Sequence, residues 1–319
     1  MKREADVVVV GAGVMGLAAA WALARSGREV VVLEQFEIGG NHGSSHASSR
    51  IFRFAYDEPE WVALAQEALP LWRELEKESG RTLLSLTGLL DASRDSAPLR
   101  AALDARDADY EILTPDETAT RFGIELEGEV VLELRGGIVY ATRVLGAFAA
   151  GVDVEEGVRV FDLQARHGGV RLETSAGTFD AAVAVVAAGA WATPLLDRAG
   201  IELETRVTRE TVTYFSLDGV GALPSVIDWN EHTGRHAYSL ATEEGLLKVG
   251  LHHSGATVDP DESGEADPEV VNAASEWVRR RYPAADPEPV YAEACLYTNI
   301  AADQFVLERH GPIVVCSAC

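Results

Sequence analysis

Val7-Val8-Val9-Val10-Gly11-Ala12-Gly13-Val14-Met15-Gly16 is followed by an alanine-rich segment to Arg25, then by Gly27 and Glu29-Val30-Val31-Val32-Leu33-Glu34. The Val7 to Val10 run is short, continuous and β-branched, the pattern of a strand buried on both faces. Gly27 stands where a helix-ending glycine belongs, and residues 29–33 read as a second buried parallel strand. The unit is strand, tight turn, helix, strand. In such a unit the first glycine permits the turn and the second lets a pyrophosphate approach the backbone. The third allows close helix–strand packing, and the helix N-terminus offers N–H groups and a positive dipole end. Glu34 closes the second strand 18 residues after Gly16, near the spacing of a carboxylate that binds ribose hydroxyls. That carboxylate repels a 2′-phosphate, which disfavours NADP and leaves NAD and FAD.

Working outward, the 319 residues suffice for a sizeable core and for two domains. Hydrophobic residues make up 47% and aromatics 7%, an ordinary globular composition. The formal charge of -24 argues against nucleic acid, which needs clustered basic residues. Lys2, Lys77 and Lys248 are the only lysines, so Lys248 is an unusual choice here. Met1-Lys2-Arg3 before an apolar run imitates a signal peptide, but Asp6 and the glycines at 11, 13 and 16 fit the nucleotide unit better. No run has the ~18 apolar residues of a membrane span. Cys295, Cys316 and Cys319 are too few for a disulfide framework, so a reducing cytoplasm is expected.

Residues 59–79 show helical periodicity through Trp61, Leu64, Ala65, Ala68, Leu71, Trp72 and Leu75, read as a core-facing stripe. Residues 157–179 alternate around turns at His167-Gly168-Gly169 and Ser175-Ala176-Gly177, predicting a β-meander before a buried run over 181–188. A helix is predicted over about 268–281, between solvated loops at 257–268 and 282–289. Two spacings imitate metal sites, His232 with His236 and Cys316 with Cys319. Neither has a second ligand pair, and Gly234 breaks the helix that would align the histidines, so no metal is expected.

Gly43-Ser44-Ser45-His46-Ala47-Ser48-Ser49-Arg50-Ile51-Phe52-Arg53-Phe54-Ala55-Tyr56 resembles the flavin-contacting loop of the monomeric sarcosine oxidase and N-methyltryptophan oxidase family, in the D-amino acid oxidase superfamily. Leu86-Thr87-Gly88, Val186-Ala187-Ala188-Gly189-Ala190-Trp191, Lys248-Val249-Gly250-Leu251-His252 and Ala294-Cys295-Leu296-Tyr297-Thr298 match further segments in the family's order. The resemblance covers essentially the whole chain and selects FAD over NAD. It implies an α/β fold: a Rossmann-like FAD-binding domain and a discontinuous, mainly antiparallel α+β substrate domain. The expected boundaries are 1–87, 141–205 and 300–319 for the FAD-binding part, and 88–140 and 206–299 for the substrate part.

The resemblance also assigns residues. Ser45, Arg50, Val160, Gly189 and Trp191 join Gly11, Gly13, Gly16 and Glu34 at the cofactor, and Cys295 becomes the covalent attachment site, for which a thiolate is the nucleophile. The competing explanation is a buried apolar cysteine. Arg50 and His46 lie near the flavin ring, where positive charge favours the reduced, anionic form. Arg53 grips the substrate carboxylate, for which a guanidinium fork is suited; two arginines solvating a helix face is the alternative. Lys248 interrupts the apolar stretch Leu246-Leu247-Lys248-Val249-Gly250-Leu251, and burying an unpaired ammonium is costly. The resemblance makes it the lysine that holds a water near the flavin and promotes reaction with oxygen; otherwise it is a lysine on an edge strand. Tyr238 and His252 match other active-site positions, though an ordinary strand tyrosine and core histidine read equally well.

The implied activity is oxidation of the C–N bond of a secondary or N-methyl amino acid to an imine, with reduction of O2 to hydrogen peroxide. The implied enzyme is a monomer whose partners are the small amino-acid substrate and O2, with no membrane association. A dehydrogenase using another acceptor is the second reading. Family members continue past a strand like that at 312–318 into a Gly-rich loop and helix that cover the flavin and add a second cation for the carboxylate. This sequence ends at Cys319, before that segment, so a non-catalytic flavin-binding fragment is the third.

Overall fold

The computed structural model describes residues 2–93, 95–229, 236–301 and 305–317. Its first elements are the expected unit: β1 (Lys2–Val10), α1 (Val14–Arg25) and β2 (Val30–Leu33). Val7 to Val10 pair in parallel with Val30 to Leu33 on one side and with Val183 to Val186 on the other, so all four are buried. Gly11 has φ +101°, a region that side chains disfavour, and a Cβ at Gly16 would strike the Gly11 carbonyl oxygen. The two glycines are therefore required for different reasons, one for backbone handedness and one for contact.

β1 and β2 belong to an eight-stranded sheet with Asp153–Glu155, Val160–Arg166, Gly169–Thr174, Gly177–Val186, Val306–His310 and Ile313–Ser317. The meander and the buried run are not separate. Gly177–Val186 is one strand that pairs antiparallel with Gly169–Thr174 over residues 177–181, in parallel with β1 from Thr178 to Val186, and in parallel with Ile313–Ser317 over residues 184–186. A second, nine-stranded sheet takes Leu89–Ala92, Tyr110–Leu113 and Val130–Glu133 from early in the chain and six strands from Arg206–Ser216 to Pro289–Asn299. It is antiparallel except where Ser225–Asp228 runs parallel to Leu89–Ala92. β3 (Ser49–Phe52), Leu84–Ser85 and Gly137–Tyr140 form a small third sheet.

The predicted helix at 268–281 is Pro268–Arg281, with Trp277 and Val278 in the core of the second sheet. It is fastened by buried Asp228, which accepts hydrogen bonds from Trp277 Nε1 (3.0 Å) and Arg281 Nε (2.8 Å). Because successive strand residues point to opposite faces, this helix covers one face of the sheet and leaves the other for the site.

Helix α2 (Pro59–Ser79) has the predicted extent, and Ala65, Trp72 and Leu75 of the predicted stripe face the core, but Leu64 and Leu71 do not. Leu64 and Leu71 are 50% and 52% exposed, while Val62 and Leu75 are buried and Ala65, Leu69 and Trp72 pack beside them. Both stripes obey a 3.6-residue period. What chose between them was tertiary packing on one side of the helix, which periodicity does not encode.

Candidate active site

A cleft at the C-terminal ends of β1 and β2 is lined by Gly11, Gly13, Glu34, Ser45, Val160, Gly189 and Trp191, and Gly16 packs beneath it against Gly11 and Ala187. Helix α1 begins at Gly13 without a side-chain cap; the Val14 N–H donates to Ser45 Oγ (3.0 Å), so the loop at 43–49 is tied to the glycine turn. Glu34 accepts from the Ala12 N–H (2.6 Å) and the Phe36 N–H (2.9 Å). Its carboxylate is thus fixed by backbone and keeps free lone pairs for hydroxyl donors. Trp191 Nε1 donates to Asp261 (2.7 Å), and its ring packs edge-on to Phe36.

Three buried polar atoms lining this cleft have no hydrogen-bond partner among the described residues: His46 Nε2, Thr298 Oγ1 and Ser317 Oγ. Buried polar groups without partners are rare and ask for an explanation. A dinucleotide carrying a polar ring edge supplies one, and the residues present fit FAD.

The register of the second sheet sets the rest of the site. Tyr238 pairs with Gly250, Gly250 with Val212, and Val212 with Glu293; one row along, Leu240 pairs with Lys248, Lys248 with Tyr214, and Tyr214 with Tyr291. Glu210 faces Cys295, and Thr208 faces Tyr297. Residues two apart share a face, so Tyr238, Lys248 and Cys295 project from the same side. Room for the Tyr238 ring comes from Gly250, where a Cβ would collide with it. β3 lies over this face: Lys248 Nζ donates to the Ser49 carbonyl (3.4 Å), its one hydrogen-bond partner among the described residues.

Lys248 is 3% exposed, and its strand is interior, between Arg206–Ser216 and Ala237–Ala241, so the edge-strand explanation fails. Burial, with Arg50 adding, lowers its pKa to about 7, against the pull of Cys295, Glu293 and Glu244. Burial pushes the Cys295 thiol up, and Arg50 and Lys248 oppose it. The resting group is a thiol, whereas attack on a flavin needs the thiolate. Burial raises Tyr238 to about 12, with neighbouring Tyr297 opposing.

Arg50 is on a strand rather than a helix face. Its guanidinium donates to the carbonyls of Ser49 (2.8 Å), Ser44 (2.5 Å) and His46 (2.8 Å), clamping the loop. His46 does not carry positive charge beside it. Burial, the largest effect, lowers its pKa, and Nδ1 donates to the Gly43 carbonyl (2.7 Å), leaving Nε2 with a lone pair.

Arg53 lies 4.5 Å over the Tyr56 ring, and among the described residues its guanidinium has no hydrogen-bond or ion-pair partner. It is also close enough to stabilise the ionised form of Asp91, a 3%-exposed carboxylate that accepts from Trp229 Nε1 (3.0 Å). His252 packs with His253, His236 and Tyr297 at the far end of the same sheet face. Sequence reasoning missed Asp91, Glu210, Tyr214 and Glu293. Their signal was parity with Lys248 and Cys295, usable only once the partner strands and register were known.

Among the described residues, no three His, Cys, Asp or Glu side chains are grouped to hold a metal ion, and no helix is long and apolar enough to cross a membrane. His232, Gly234 and Cys319, from the metal-like spacings, lie outside the described residues.

A family profile described as FAD dependent oxidoreductase matches residues 6–319. Peroxisomal sarcosine oxidase of Homo sapiens is 33% identical over 329 residues, covering 96% of this chain and 84% of that protein. Monomeric sarcosine oxidase of Bacillus sp. (strain NS-129) is 28% identical over 338 residues, with 97% and 85% covered. A mutant of NikD, described as an unusual amino acid oxidase essential for nikkomycin biosynthesis, superposes in its open form with a TM-score of 0.90. That similarity comes at 28% identity and covers 99% of this chain and 89% of NikD. With the glycine turn, Glu34 and the polar-lined cleft, these likenesses have one meaning: the chain belongs to the FAD dependent oxidoreductase family.

Proposed function

We propose that this FAD-dependent oxidoreductase is an oxidase of secondary or N-methyl amino acids, sarcosine-like in size, that forms an imine and reduces O2 to hydrogen peroxide. The observation that carries this reading is the buried Lys248 amine, which shares a sheet face with Cys295 and lies under β3, the strand that carries Arg50. A lysine held near neutrality in a dry site is suited to giving up a proton. Relatives named sarcosine oxidase support the substrate class.

Gly11, Gly13, Glu34, Ser45, Val160, Gly189 and Trp191 would hold the cofactor, and Cys295 would attach it covalently, with Arg50 and Lys248 favouring the thiolate. Bound FAD would supply the acceptor for the hydride equivalent lost from carbon as the C–N single bond becomes an imine. Arg50 offers fixed positive charge where the acceptor gains negative charge. Arg53, whose guanidinium has no hydrogen-bond or ion-pair partner among the described residues and lies over the Tyr56 ring, binds the substrate carboxylate as a fork. Tyr238 and His252 border the substrate, and the closely packed aromatic rings around them exclude water. We assign the FAD-binding domain to segments 1–87, 141–205 and 300–319 and the substrate domain to 88–140 and 206–299, in a cytoplasmic monomer.

The test is a panel of sarcosine, N-methyltryptophan, pipecolate and a glycated amino acid, with peroxide and dye reduction read in parallel. Peroxide formed in step with amine consumed is expected for at least one amine. Dye reduction without peroxide makes the protein a dehydrogenase, and full FAD occupancy without turnover makes it a flavin-binding fragment.

A further inference from the structure

Lys248 is buried, yet a row of side chains connects it to the sheet edge. It pairs across strands with Tyr214, and Tyr214 with Tyr291, which is 44% exposed on a strand that pairs only with Arg206–Ser216 among the described residues. Lys248 Nζ lies 5.9 Å from the centre of the Tyr214 ring. The Tyr214 and Tyr291 rings stack at 4.2 Å. Buried Tyr214 donates its hydroxyl proton to the carboxylate of Glu293, which is itself partly exposed. Neither Tyr214 nor Glu293 has a part in holding cofactor or substrate as assigned above.

We infer that Tyr214 and Glu293 form the proton path between solvent and Lys248. The inference rests on the oxidase reading. Reducing O2 to hydrogen peroxide takes two electrons and two protons; the reduced flavin supplies both electrons and one proton, and the second proton has to come through the protein. The Lys248 ammonium gives up that proton. The Tyr214 hydroxyl, directly or through one water, returns a proton to the amine, and Glu293, protonated from solvent, returns one to Tyr214. All three side chains end the cycle as they began, and the net proton comes from solvent.

The surrounding charges suit this use. Arg50 on β3 favours the neutral amine, Cys295, Glu293 and Glu244 favour the ammonium, and the balance near pH 7 populates both forms. His46 from the neighbouring loop is in the same field and is itself neutral. Burial and Glu293 keep the Tyr214 hydroxyl protonated, as a donor must be.

The experiment uses holoenzyme reduced anaerobically with dithionite, so that no amine substrate is required, and mixed with oxygenated buffer. In Glu293→Ala and Tyr214→Phe the oxygen step is expected to slow by roughly 10²-fold, the low end of what a positioned proton donor contributes. Formate restores much of the rate in Glu293→Ala only, and flavin reduction by substrate is unchanged. A second readout is nuclear magnetic resonance of 13Cε-labelled lysine, simple because the chain has only Lys2, Lys77 and Lys248. Proton exchange between Lys248 and solvent is expected to slow in both variants. An unchanged oxygen step, or a slowed one that formate does not rescue with Lys248 exchange unaltered, overturns the path and leaves the pair structural. Wild-type enzyme that reoxidises no faster than free flavin refutes the oxidase reading instead. Lys248 exchange then decides the path alone, and equal exchange in all three proteins overturns it.

Discussion

Gly250→Ala tests whether the register of the second sheet is what seats the active-site tyrosine. Gly250 lies within a regular strand and has no positive φ, so an alanine backbone fits there. The obstacle is the cross-strand partner: the new Cβ would meet Cζ, Oη and Cε1 of Tyr238 well inside van der Waals contact. Overpacking of a filled interior costs about 1–3 kcal/mol. Replacing glycine by alanine restricts the unfolded chain and returns about 0.4–1 kcal/mol. The net expectation is a loss of about 1–2 kcal/mol, read as a lower urea midpoint at constant slope. In a Tyr238→Ala background the ring is gone, so the same substitution is expected to be neutral or slightly stabilising. An equal cost in both backgrounds refutes the reasoning, because the glycine would then serve something other than the ring.

Asp91 is pushed up to about 6 by burial, with the Trp229 hydrogen bond and Arg53 opposing. Its folded value exceeds its unfolded one, so ionisation costs stability, which is greatest below about pH 4 and is lost as pH rises through 6. Asp91→Asn is expected to stabilise the protein at pH 7 by up to roughly 3 kcal/mol and to be neutral near pH 4, checked by urea midpoints at both values. For Lys248 the folded value, about 7, lies below the unfolded one, so the cost of the ammonium is present below pH 7 and relieved as pH climbs towards 10.5. Lys248→Met is therefore expected to raise stability at pH 6 by several kcal/mol, of order ~4, while slowing the reaction with oxygen; lower stability would contradict it. Arg53→Gln removes a charge-assisted carboxylate clamp worth about 3 kcal/mol and is expected to raise KM by roughly 10²-fold, measured by steady-state peroxide release.

The nucleotide-binding unit was legible because its determinants are local. Turn handedness at Gly11, close packing at Gly16 and the strand-ending Glu34 all lie within one short stretch of chain. Lys248 was conspicuous as a lone charge in an apolar strand, and Cys295 through its matching neighbours. What joins them was not legible. The Arg206–Ser216 strand, which pairs with the strands of both, carries no chemistry-bearing motif, yet its register puts Glu210 opposite Cys295 and Tyr214 opposite Lys248. The lowered pKa of His46 was not legible for a related reason: desolvation depends on what covers a ring, and β3 with its loop is packed by residues far away in sequence. In the α2 stripe, Ala65, Trp72 and Leu75 were read correctly and Leu64 and Leu71 were not, because which side of the helix is covered is set by tertiary packing.

The assembly of Arg50, Lys248 and Cys295 around one bound flavin is tested most directly by denaturing the purified protein in acid, running a denaturing gel and reading flavin fluorescence on the polypeptide band. Fluorescence that stays with the wild-type chain and disappears in Cys295→Ser is the predicted result. Flavin released from the wild-type chain, or retained by Cys295→Ser, would contradict attachment at this strand and the site built around it.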